Sequence, residues 1–280
     1  MDPRQKMKKN KFLIVLSILF VLAVAFYSAK GLIGPGKKIS PRPAVVKKAA
    51  KKTERTLPRP IGAKMAIILD DWGPSAALVD EAVAIGRPLT LSILPNLRHS
   101  RDIAEAAKKH GLGVMLHMPM QPKGKRQPAE PHTILTTSSE ADILKYLEEA
   151  LASVPYAEGV NNHQGSAATS DERVMRTILS YLKKKGLFFV DSRVIATSVG
   201  RKTAGELGVR FAQRDVFIDN VAAVDEVKRQ LAEAGRLALR RGKAVAIGHD
   251  KKPTLEAIRE MAPELEKNGV KLVLVKELLE

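Results

Sequence analysis

The sequence predicts an α/β fold built on a parallel sheet, either a barrel or a doubly wound sheet, over residues 64–280. Three observations carry this. Short, continuously apolar runs alternate seven times with segments of helical periodicity. The apolar runs lack in–out alternation, as expected for strands covered on both faces. The helix-to-strand junctions also repeat one chemistry. "KKHGL", "KKKGL", "ELGV", "RRGK" and "KNGV" each set a Gly at a helix end, usually behind basic residues, and a strand begins at once. That is a C-terminal glycine cap with cations complementing the helix dipole.

"MAIIL" (65–69) is the first strand, and a helix over 75–86 comes after it. "LTLSIL" (89–94) precedes a helix over 99–110, and "LGVMLH" (112–117) precedes one over 139–152. That third helix opens in "TSSEADILKYLEEAL", with a Ser cap and an acidic first turn. "EGVNN" (158–162), "LFFVD" (187–191) and "VRFAQ" (209–213) are the next strands, with helices over 171–185, 200–207 and 224–241. "AVAIG" (244–248), a helix over 254–268 and "KLVLV" (271–275) complete the domain. A chain stretch of this length suits one barrel-like domain.

The first 63 residues are different in kind. Five cations in "MDPRQKMKKNK" precede the apolar run "FLIVLSILFVLAVAFY" (12–27). A basic start followed by a run without a polar face reads as a signal-anchor or a cleaved signal over residues 1–29, not as a core helix. The Lys/Pro-rich stretch 30–63 has almost no periodicity and reads as a disordered linker. The domain is therefore expected outside the cytoplasm, membrane-anchored or, after cleavage, secreted.

The formal charge of +17 invites a nucleic-acid reading, but its distribution removes it. Residues 1–64 hold 16 of the 47 Lys and Arg and only 2 of the 30 Asp and Glu. The rest of the chain carries 31 basic and 28 acidic side chains, which is close to neutral. Aromatics at 4% make stacking platforms for single strands scarce. The absence of cysteine excludes disulfides, thiolate nucleophiles and Cys metal sites.

In parallel α/β folds, active sites gather where strands end. Here the strand ends carry Asp70 and Asp71, then His117, then Asn161, Asn162, His163 and Ser166, then Asp191 and Arg193, then Arg214 and Asp215, and finally His249. His99, His110 and His132 fall in helical or loop contexts and are expected at the surface. One carboxylate plus two histidines is a common ligand set for a catalytic divalent ion, zinc first, with cobalt, nickel or manganese as alternatives. Asp71, His117 and His163 supply that set, and Asp70 and His249 are left over as base and acid. Trp72, Pro119, Asn162 and Ser166, at or beside the same strand ends, are the expected substrate contacts. No Gly-x-Ser-x-Gly elbow, P-loop or Gly-x-Gly-x-x-Gly is present.

The strings "IILDDWG", "TLSILP", "VMLHMPMQP", "GVNNHQGS", "GLFFVDSR", "AQRDVFID" and "AIGH", in this order, resemble the divergent (YibQ-type) polysaccharide deacetylases. These are similar to NodB-type carbohydrate esterases, so the resemblance implies a distorted barrel of about seven β/α units. It also implies removal of acetyl groups from a polysaccharide with a divalent metal. Asp70 matches the general base, Asp71 a metal ligand and His249 the general acid. Asp191 and Arg193 stand in the family's aspartate motif, without its usual tryptophan. The family's His-x-x-x-His pair is not met, because Gln121 stands four residues after His117. "NNHQGS" replaces an Arg-x-Pro-Tyr segment. Either His163 supplies the missing ligand from the next strand, or the metal site is altered. The expected partner is an acetylated cell-envelope glycan. A non-catalytic envelope protein on the same fold and another metal hydrolase are the alternatives.

Overall fold

The computed structural model describes residues 62–124 and 130–280. The expected anchor and nearly all of the expected linker lie outside the described residues. Nine strands occur among the described residues: β1 (Ala63–Trp72), β2 (Thr90–Ile93), β3 (Gly113–Met120), β4 (Gly159–Gln164), β5 (Phe188–Asp191), β6 (Phe211–Gln213), β7 (Val216–Phe217), β8 (Lys243–His249) and β9 (Val270–Leu272). Seven α-helices alternate with them: α1 (Val79–Ala84), α2 (Ser100–Lys109), α3 (Glu140–Ser153), α4 (Glu172–Lys185), α5 (Gly200–Leu207), α6 (Val224–Arg241) and α7 (Lys252–Lys267).

The local chemistry read from sequence is present. The Ser139 hydroxyl accepts from the Asp142 N–H at the start of α3, and Gly186, Gly208 and Gly242 end α4, α5 and α6 in the left-handed conformation. Two expectations change. The first helix is only six residues long, Val79–Ala84. The "VRFAQ" strand starts only at Phe211, and an additional two-residue strand, β7, follows it and pairs with the opposite edge of the sheet.

All named strand pairs are parallel, in the order β6-β5-β4-β3-β2-β1-β8-β7, with β9 against β1. The edge strands β6 and β7 are joined by Arg214 and Asp215 alone. So short a link requires the sheet to curl until its edges meet, which makes a distorted, incompletely hydrogen-bonded barrel. Arg214 N–H donates to the Asp191 carbonyl on one side of the seam, and Asp215 N–H to the Val245 carbonyl on the other. The chain's last residues bridge the seam, with Phe211 and Glu280 exchanging backbone hydrogen bonds.

Alternation along the strands sorts side chains into two cores. One is the barrel interior: Ala66 and Ile68 of β1, Met115 of β3, Phe188 and Val190 of β5, Ala212 of β6, and Val245 and Ile247 of β8, joined by Val273, Val275 and Leu278. The other, larger core lies between the sheet's outer face and the helices. Continuing the interior parity toward the strand C-termini brings Asp70, His117, Asn161, His163 and His249 onto one rim. The interior is narrow at Gly159, where an added Cβ would stand 2.3 Å from the Phe188 ring.

Candidate metal centre

The rim begins with the paired aspartates. Asp70 lies opposite His249 in the β1–β8 ladder. By alternation Asp71 should face the helices. Instead it takes φ 68°, and the β1–β2 register slips between Leu69 and Trp72. This bulge turns the second carboxylate to the same side as the first. Gly73 then takes φ 130°, where a Cβ would meet the Leu94 carbonyl oxygen at 3.1 Å. The bulge also displaces Trp72 outward. Trp72 is therefore not the expected substrate contact, because it is fully buried in the helix-facing core.

Three ligand atoms converge beside Asp71. Its Oδ1 is 3.2 Å from His117 Nε2 and 3.0 Å from His163 Nδ1, and the two ring nitrogens are 3.2 Å apart. Atoms so spaced fit around a single ion with bonds of about 2.0–2.2 Å. β3 and β4 supply the two histidines in adjacent register, with His117 opposite Asn161 and Pro119 opposite His163. Both strands run past the expected ends, to Met120 and Gln164, so these histidines project from strand interiors.

The outer nitrogens of both rings are already engaged. His117 Nδ1 lies 2.7 Å from Asn161 Oδ1, and His163 Nε2 lies 3.1 Å from Glu130 Oε1. Each partner accepts, so each ring donates there and turns its lone pair inward when neutral. Asp71 Oδ1 is buried without an aligned hydrogen bond. Two lone pairs and a carboxylate oxygen facing one another repel unless something positive lies between them. This donor set and its fixed tautomers fit a divalent ion.

The electrostatics agree in direction. Burial pushes Asp71 up, but the adjacent imidazoles of His117 and His163 outweigh it and hold it well below the usual carboxylate range. Burial pushes His117 down, and Asp70 and Asp71 outweigh that, so its affinity for a positive charge is raised. Asp70, almost fully buried, is raised, chiefly by burial. Asp71 adds to that rise, and His117, Asn161 and His249 oppose it. Asp250, beyond His249, is pushed up to about 7 by burial and by Asp71.

His249 closes the far side. Its Nε2 is 3.7 Å from Asp71 Oδ2, and its Nδ1 is 2.8 Å from Asp219 Oδ1. Asp219 also accepts from the His249 backbone N–H and the Thr254 hydroxyl, each at 2.8 Å. Burial lowers the His249 pKa, but Asp219 reverses this, and the net direction is up. Sequence reasoning missed Asp219 and Glu130. Asp219 ends "VFID" just after β7, and the strand-end criterion applied to that run would have found it. Glu130 sits in the long β3–α3 connection, where no periodicity marks it.

Other expected site residues do different work. Both Asp191 oxygens are taken within its own loop, Oδ1 by the Arg193 N–H at 2.7 Å and Oδ2 by the Ser198 hydroxyl at 2.5 Å. Asp191 follows Phe189 on the helix-facing side of β5, so it braces the loop instead of facing the cluster. Arg193 is exposed, at φ 48°. Asn162 is buried, accepts from the Ser192 N–H and donates to the Gln164 carbonyl, which makes it a brace between strand ends and not a substrate contact. Ser166 accepts from the Lys123 N–H at the rim, while Pro119 is buried in β3 beside His163. Asp215 lies toward the opposite end of the barrel, bonded to Val245 and near Arg241.

Known proteins resemble this chain in sequence or in fold. The profile of the family described as divergent polysaccharide deacetylase matches residues 67–279. Over 205 residues the chain is 32% identical to the uncharacterized protein YibQ of Escherichia coli K12, covering 73% of this chain and 64% of that one. The chain thus spans slightly under two thirds of that relative's length. An uncharacterized Agrobacterium tumefaciens C58 protein superposes with a TM-score of 0.74 at 22% identity, covering 78% of this chain and 89% of that one. A carbohydrate esterase family 4 pseudoenzyme from Bacillus anthracis superposes at 0.50 with 14% identity, covering 79% and 67%.

Proposed function

The chain belongs to the divergent polysaccharide deacetylase family, and from that premise we propose that it is a metal-dependent hydrolase removing acetyl groups from an envelope glycan. The observation that carries the reading is the triangle of Asp71, His117 and His163, flanked on one side by a buried carboxylate and on the other by an aspartate-backed histidine.

The three side chains would hold a divalent ion, zinc first by the two-histidine, one-carboxylate donor set. Such an ion supplies Lewis acidity, polarising the acyl carbonyl and easing ionisation of a water. Asp70 takes the proton from the attacking water. Its neighbour Asn161 orients the carboxylate by donating to Oδ1, and burial strengthens its affinity for that proton. As the new C–O bond forms and the acyl C–N or C–O bond breaks, His249 Nε2 delivers a proton to the departing sugar nitrogen or oxygen. Asp219 holds the opposite ring nitrogen protonated, so Nε2 is the atom free to do this.

The N-terminal composition supports a location for this chemistry: the domain works outside the cytoplasm, tethered through residues 1–29 across a basic linker. Membrane fractionation of the full chain, with protease accessibility of the domain from the outer side, tests the tether.

Activity is tested with the zinc-loaded full chain on a panel of N- and O-acetylated glycans, monitoring acetate release. Turnover that falls at least about 100-fold in Asp70→Asn, with metal content kept, is the expected result. A second reading, a binder that keeps the fold and ion without turnover, is favoured by the replaced segment "NNHQGS". Full metal loading with no acetate from any substrate would select it.

A further inference from the structure

One buried amide touches both halves of this centre. Asn161 is fully buried on β4 and uses its whole hydrogen-bonding capacity. Its Oδ1 accepts from the Ser92 hydroxyl at 2.5 Å and from His117 Nδ1 at 2.7 Å. Its Nδ2 donates to Asp70 Oδ1 at 2.8 Å and to the Ser192 hydroxyl at 3.2 Å. Five separate segments of the barrel thereby meet at one side chain.

The amide can point only one way. An ionised Asp70 has no proton to give, so it must face the NH2 end, and His117 must then face the oxygen. That in turn forces the proton of a neutral His117 onto Nδ1 and its lone pair onto Nε2, the atom 3.2 Å from Asp71 Oδ1. We propose that Asn161 is a positioning residue that simultaneously sets the ligand tautomer of His117 and the orientation of Asp70. The proposal rests on the reading that Asp71, His117 and His163 hold a divalent ion. Its consequence is that metal binding and proton abstraction share one support but depend on opposite ends of it. The oxygen end serves the ligand, and the nitrogen end serves the base. Asn161 and His163 are two residues apart and share one side of β4, so a single strand supplies both a ligand and the brace for another.

The two ends can be cut separately. Asn161→Leu removes both. Asn161→Asp keeps an acceptor toward His117 and Ser92, but removes the donor toward Asp70 and sets a second carboxylate against it. The full chain and both variants are titrated with Co(II) and Zn(II), read by calorimetry and the visible Co(II) spectrum, and kcat and KM for acetate release are measured on the best glycan. Asn161→Leu should lose about 10–100-fold in metal affinity, with an altered Co(II) spectrum. Asn161→Asp should bind metal at least as tightly as wild type, yet lose about tenfold or more in kcat at unchanged KM. Unchanged metal affinity in Asn161→Leu would overturn the proposal. If that variant does not fold, Asn161→Asp decides alone: loss of metal and turnover together, or of neither, is equally contrary. A wild-type chain that takes up no metal would instead sink the proposed function, and this role with it.

Discussion

Asp219 Oδ1 stands 2.8 Å from His249 Nδ1, and the same carboxylate accepts the His249 backbone N–H. The ring is therefore fixed in orientation and tautomer by a single residue across the β7–β8 edge. Asp219→Asn keeps the size but exchanges a charged acceptor for an amide. It should reduce kcat on the order of 100-fold while metal content stays at wild-type level. Loss of metal alongside activity would show that Asp219 supports the ligands and not the acid.

The same residue gives a pH signature. Burial raises the Asp219 pKa, but the hydrogen bonds and charge of His249 outweigh burial and hold it below the ordinary value. A depressed carboxyl contributes stability that is present above its unfolded-state pKa of about 3.9 and is lost as pH falls through the folded value. Asp219→Ala should therefore cost about 2–4 kcal/mol at pH 7. In urea melts the gap to wild type should shrink below roughly pH 4. A gap that is constant with pH would contradict the ionic character of the contact.

Glu130 is the only partner of His163 Nε2 that carries a charge among the described residues. Glu130→Gln keeps an acceptor but removes the charge. Metal affinity should fall by about tenfold, with little change in global stability. Equal affinity in a competition titration would show that His163 is held by β4 alone.

Two residues placed at the site by sequence should behave as structural residues. Asp191→Ala should destabilise by about 1–3 kcal/mol, because it strands the Ser198 hydroxyl and the Arg193 N–H. Trp72→Phe should lower stability through lost core packing. Both should retain full metal content and a KM within about twofold of wild type. A selective rise in KM for Trp72→Phe would restore it as a substrate contact.

Gly159→Ala places a methyl 2.3 Å from Phe188. Overpacking there should cost about 1–3 kcal/mol. Since Asn161 and His163 lie two and four residues farther along β4, metal affinity should fall as well. Destabilisation without any loss of affinity would mean that the strand's C-terminal half is held independently.

The cluster itself was legible in the sequence because parallel strands carry chemistry at their C-terminal ends, and Asp70, Asp71, His117, His163 and His249 all lie at or near such ends. Trp72 was misplaced because strict alternation does not anticipate the left-handed conformation at Asp71, which reverses the parity of the next residues in the strand. Asp191 was misplaced because "LFFVD" is apolar on both faces, so the sequence does not show which face its aspartate joins. Asp219 was obscured by a two-residue strand, β7, too short to produce a pattern. The role of Asn161 depends on five segments converging, which no local window of sequence displays.

The central claim is that Asp71, His117 and His163 bind one ion together, and metal stoichiometry tests it most directly. The full chain, purified, equilibrated with Zn(II) and freed of excess, should carry about one zinc per chain by elemental analysis, and Asp71→Ala, His117→Ala and His163→Ala should each carry close to none. A wild-type chain without zinc, or three substituted chains that keep it, would contradict the account.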